Sequence, residues 1–213
     1  MNVLTKIREV LSSDINEPQL DRFLTDVRDS LASTSRQFLS YSILIITSLV
    51  TYHLVVHDAS SVITFNAVQF SNTTLFRRVF LIFPASLLVA VSSIGYLRRL
   101  QREVYDFLSI SRYRALGKSG LHELRLPADY VLGFFVLRES GGLVGKVIGS
   151  AVPFVYLAVF MIGPSAYIIH EAILNLKKFG IRDALNLAAS LSSIVLCLSA
   201  VVIVILAGQI KSE

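Results

Sequence analysis

The chain has 213 residues, of which 54% are hydrophobic and 16% charged, with a formal charge of +5 and one cysteine. A soluble domain of this size carries about 25% charged residues, so the balance points to a membrane protein, and the charge is read for its placement rather than as nucleic-acid affinity. A lone cysteine excludes an intrachain disulfide, a multi-cysteine zinc site and an iron–sulfur cluster.

Residues 1–36 carry five basic and six acidic side chains and have no apolar core of the signal-peptide kind. Leu4, Ile7 and Leu11 fall on one stripe, and Leu20, Leu24, Val27 and Leu31 on another after a break at Ser12–Glu17. The spacing predicts two short amphipathic helices, the second opening at Asn16 or Glu17 with Pro18 in its first turn. They are expected to pack on the protein's own polar loop, with docking to a partner or to the membrane surface as alternatives.

From Gln37 to His57 there is no charge for 21 residues. A helix needs about 20 apolar residues to cross the hydrocarbon, so this is the first span. Its Ser, Thr and Tyr content suggests bonds to its own backbone or to another helix. Residues 58–78 form a loop between spans. Ser61–Phe65 and Ala67–Phe70, joined at Asn66, have the character of a short extracytoplasmic hairpin. The second span runs from Val79 to Leu97, with Pro84 near its start.

A polar block, residues 98–146, separates the two span pairs. Leu97, Leu100, Val104 and Phe107 continue a helical stripe out of the second span, beside Arg98, Arg99 and Arg102. Gly117–Gly120 breaks the pattern. The apolar stretch from Tyr130 to Leu137 is too short to cross a bilayer and reads as interfacial or packed. The third span runs from Val147 to His170. Gly141, Gly145 and Gly149 enter it at four-residue spacing, which lets another helix backbone approach one face. Pro153 and Gly163-Pro164 predict kinks or a broken segment. Residues 171–183 are a second loop, Ala184–Ile210 the fourth span, and 211–213 a tail.

Lysine and arginine placement sets orientation. The N-terminal tail has five, the central block nine and the C-terminal tail one; the two other loops share Arg77, Arg78, Lys177, Lys178 and Arg182. The positive-inside rule therefore places both termini and the central block in the cytosol. The expected fold is all-α, with four transmembrane helices, amphipathic cytosolic helices and a β-like outer loop.

Few motifs point to chemistry. Gly117-Lys118-Ser119 resembles the end of a phosphate-binding loop, but Arg112 stands where the first glycine belongs. His53 and His57 lie four apart, a spacing that fits one metal and also fits two interfacial, hydrogen-bonded imidazoles. No metal, cofactor or catalytic group is expected. Arg98, Arg99 and Arg102 are placed to meet lipid headgroups and hold topology. Arg112, Arg114 and Lys118 lie farther along and are placed to dock an acidic protein surface. Gly141, Gly145 and Gly149 are the expected helix-packing interface.

The layout, with its four spans, cytosolic termini and one large loop between spans 2 and 3, resembles the small membrane subunit of the Kiwa bacterial anti-phage system. That resemblance implies a homo-oligomeric envelope sensor working with a cytosolic, DNA-binding protein. No direct nucleic-acid contact is expected of this chain. Alternatives are a pore-forming or membrane-disrupting effector and a subunit of a transport or secretion complex.

Overall fold

A computed structural model of the chain describes residues 17–57, 63–65, 68–70, 73–112 and 142–208. In chain order the elements are α1 (Glu17–His57), β1 (Ile63–Phe65), β2 (Val68–Phe70), α2 (Thr73–Val79), α3 (Ile82–Arg112), α4 (Gly142–Leu157), a π-helical turn (Ala158–Ile162), α5 (Gly163–Phe179) and α6 (Ala184–Gly208). Among the described residues, four stretches are long and apolar enough to cross a membrane: Pro18–Val56, Thr74–Ser109, Ala158–Phe179 and Ala184–Gly208. The protein is a multi-pass membrane protein built of helices.

α1 is a single helix of 41 residues. It runs from the amphipathic stretch into the first span with no break at 36–37. At 1.5 Å per residue it is about 60 Å long, twice the thickness of the hydrocarbon. α3, with 31 residues, also outruns the bilayer. The two are antiparallel, and their projecting halves pack on each other. Leu24 and Leu31 of α1 meet Tyr105 and Leu108 of α3 in a small cluster flanked by Leu20, Val27, Val104 and Phe107. Gln101 fastens the pair: its amide donates to Ser30 Oγ at 2.8 Å, and Thr34 Oγ1 donates to its Oε1 at 3.2 Å. The extension of α3 past Arg98 thus has an apolar partner to continue for. Residues 113–141 and 1–16 lie outside the described residues.

The main core lies where α1, α3, α5 and α6 meet. It is built from Ile45, Tyr52, Leu88, Val91, Ile168 and Cys197, among others. Small polar residues lie among them. Ser42, Ser48, Ser92 and Ser193 are buried, and each hydroxyl donates to a carbonyl three or four residues back in its own helix. This satisfies the hydroxyl locally while its small size keeps the helices close.

The third span departs from regular α-helix where the sequence predicts a kink or a break, at the π-helical turn Ala158–Ile162. Pro164 has no N–H to give to the carbonyl four residues back, and the turn before it widens. The N–H of Gly163 donates to the Ala158 carbonyl, five residues back. A Cβ on Gly163 would stand 3.2 Å from that same oxygen. Before the turn, the first residues of α4 are exposed, Leu143 at 82%, and its last residue, Leu157, packs against the main core. After it, α5 packs along α6 and stays helical through Phe179. Residues 171–179 are therefore helix rather than loop, because the first breaker is Gly180, whose φ of +80° only glycine adopts readily.

Candidate functional site

The C-terminal end of α1, α2 and the α5–α6 turn lie at one end of the bundle, and the hairpin falls between α1 and α2 in the chain. In the hairpin, Ile63 pairs with Phe70 and Phe65 with Val68, antiparallel. Two residues later α2 begins. This seven-residue helix is separated from α3 by a turn at Phe80–Leu81. The separation has a local cause. Pro84 cannot donate to the carbonyl of Phe80, and Phe83 N–H takes that acceptor instead at 3.0 Å. α2 is thus a separate helical segment and lies against α1 and α6.

Its placement is held by aromatic rings and by two adjacent arginines. Phe76 is buried, and its ring lies 4.2 Å from that of Phe80; Tyr52 of α1 stacks on both, at 6.3 and 6.1 Å. Arg77 points one way. Its Nη2 donates to the carbonyls of Val55 and Val56 in the last turn of α1. Those carbonyls have no helical partner, and a cation there also meets the negative end of the helix dipole. Arg78 points the other way. Its Nη1 lies 2.8 Å from Asp183 Oδ2, and its guanidinium covers the Phe179 ring at 4.8 Å.

Asp183 serves two elements at once. Its Oδ1 accepts the backbone N–H of Asn186 at 3.1 Å, which caps the start of α6, while its Oδ2 holds Arg78. From there an amide relay crosses the bundle. Asn186 Nδ2 donates to the Asn175 carbonyl at 3.2 Å. Asn175 Nδ2 donates to the Tyr52 hydroxyl at 3.1 Å and to the Arg77 carbonyl at 2.9 Å. Tyr52 and Asn186 are fully buried and Asn175 nearly so. Glu171, 5% exposed, lies one turn before Asn175 within electrostatic reach of the Tyr52 and Tyr167 hydroxyls. Buried polar groups are costly unless paired, and here every pairing except the Asp183 cap on Asn186 joins two different helices. The result is a polar clasp that ties α1, α2, α5 and α6 together at the hairpin end.

The residues singled out from the sequence are placed elsewhere. Arg98 covers the Phe38 ring at 5.8 Å, where α3 leaves the apolar bundle. Arg102 pairs with Asp106 one turn on, at 3.6 Å. Arg99 is exposed on the same stretch. Arg112 is the last residue of α3, and Arg114 and Lys118 lie outside the described residues. Gly145 and Gly149 are both in α4, and Gly141 lies outside the described residues. His53 Nδ1 is 3.0 Å from the Tyr167 hydroxyl, while His170 is exposed on α5.

Sequence reasoning did not find the clasp, although two signals pointed to it. Arg77 and Arg78 are exceptions to the charge asymmetry, on the side expected to be poor in cations. Asn175 and Asn186 are amides on either side of Gly180 in helices otherwise rich in apolar residues. No family model, curated protein or solved structure matches this chain. The functional reading therefore rests on its own residues.

Proposed function

We propose that the chain is a non-enzymatic, homo-oligomeric sensor or anchor of the bacterial inner membrane, with the hairpin end outside and both termini in the cytosol. The projecting halves of α1 and α3 are the platform that receives a soluble protein partner. Arg112, Arg114 and Lys118 are the docking cations. The resemblance to the Kiwa membrane subunit adds a setting, anti-phage defence, and a DNA-binding character for that partner.

One observation carries this reading: α1 and α3 continue past the bilayer as a packed pair with their own apolar cluster at Leu24, Leu31, Tyr105 and Leu108. A helix that only crosses the membrane needs no such extension. Arg112 ends α3 about 20 Å beyond Arg98 at helical rise. That is beyond the roughly 8 Å screening length at physiological salt, so a protein surface is a better target for its charge than lipid.

Reporter fusions after Arg114 and Glu213 should report cytosol, and one at Asn66 the outside. Capture of a soluble partner in mild detergent should be lost in Arg112→Glu with Arg114→Glu, with insertion and oligomer size unchanged. An outside signal at Arg114, or full capture by the double variant, would sink the reading. A pore is the second reading, favoured by the buried Ser42, Ser48, Ser92, Asn186 and Ser193 within the bundle. Ion flux from liposomes loaded with the purified protein would support it.

A further inference from the structure

We propose that α2 is a latch through which the outer hairpin controls the opposite end of the bundle. Three observations lead there. First, α2 is the only described connection between the hairpin and α3, with just residues 71 and 72 between β2 and its first turn. A ligand or a pull on the hairpin reaches α3 along the chain through α2. Second, α2 is not continuous with α3. The turn at Phe80–Leu81 and the missing donor of Pro84 form a joint about which α2 can lift without unwinding α3. Third, α2 is held down on both sides by contacts made outside its own helix: Arg77 on the last carbonyls of α1, and Arg78 on Asp183.

The far side of the joint is stiff. α3 runs unbroken from Ile82 to Arg112, past the core at Leu88 and Val91 to Tyr105 and Leu108 in the cluster with α1. With α2 down, both ends of the α1–α3 pair are fastened. With α2 lifted, α1 loses the guanidinium on its last turn and α2 loses its link through Asp183 to α6. α3 is then held to α1 by the core around Leu88 and Val91 and by the Gln101 end, and as one unbroken helix it responds to the release as a unit. The two discrete arrangements are latch down and latch up, and whatever binds the hairpin selects between them by its difference in affinity. The proposal rests on the sensor reading for the direction of the signal, from hairpin to platform.

The test is hydrogen exchange on the full chain in lipid nanodiscs, comparing wild type with Asp183→Asn. Asparagine caps a helix start about as well as aspartate, so the variant keeps the bond to Asn186 N–H and removes only the charge that holds Arg78. Amides of residues 73–79 and of residues 98–112 should both exchange at least threefold faster, with those of α6 unchanged. A second variant guards against misfolding. Arg78→Cys with Asp183→Cys and Cys197→Ala, joined by a short bifunctional thiosulfonate, gives latched and released states of one polypeptide on adding reductant. Residues 98–112 should speed up on release. Faster exchange confined to 73–79 would make α2 a local cap and overturn the proposal, as would no change in 73–79. No partner is present in either measurement. Loss of partner capture with intact coupling would count against the sensor reading alone.

Discussion

Asn175→Ala should be among the most damaging single changes in the apolar part of the chain. The substitution removes two bonds from Nδ2, at 3.1 Å to the Tyr52 hydroxyl and at 2.9 Å to the Arg77 carbonyl. Interhelical hydrogen bonds in membrane proteins average about 0.6 kcal/mol and reach about 1.7 kcal/mol. Two of them give about 1–3 kcal/mol. The Tyr52 hydroxyl is left in a residue with 0% exposure, where no water replaces the lost donor, so the upper half of that range applies. We expect about 2 kcal/mol, roughly a 30-fold change in the folding equilibrium. Steric trapping in bicelles measures it. Tyr52→Phe supplies the partner variant, because the phenyl ring keeps its stacking on Phe76 and Phe80 and loses only the hydroxyl. The double variant should be less damaged than the sum of the singles, with a coupling of about 0.5–1.5 kcal/mol. A coupling of zero, or a loss below about 0.5 kcal/mol for Asn175→Ala, would refute the clasp as a source of stability.

Three further outcomes follow from the packing. Leu31→Ala opens the cluster beyond the membrane and should cost about 2 kcal/mol, seen as faster proteolysis of residues 17–36 with the four spans still inserted; unchanged proteolysis would mean that the projecting pair is held by something else. Pro164→Ala restores the missing N–H, so the π-helical turn should tighten and the helix straighten. Spin labels at Val144 and Lys178 would then move apart, and an unchanged distance would assign the π-helical turn to packing. Gly145→Leu should weaken self-association of α4, measured as oligomer mass in nanodiscs, whereas Val159→Leu should not; equal masses for both variants would remove the glycine face from the interface.

The membrane class and the four spanning helices were legible in the sequence. Hydrocarbon has no water to satisfy a backbone, so an uncharged run of about 20 residues has one regular solution, and that solution is written locally. The break in regular helix at Gly163-Pro164 was legible for the same reason: the missing donor belongs to the proline itself. Two things were not. The fusion of the amphipathic stretch with the first span into one 41-residue helix depends on Tyr105 and Leu108, which lie far along the chain and cover its apolar stripe. The clasp joins Asn175 to Tyr52 across 123 residues and to Arg77 across 98. Nothing local to an asparagine says which carbonyl it will meet. Only the packing of α5 alongside α1, with α6 antiparallel to both, brings these groups to one end, and only there do Arg77 and Arg78 find the helix end and the carboxylate that hold them.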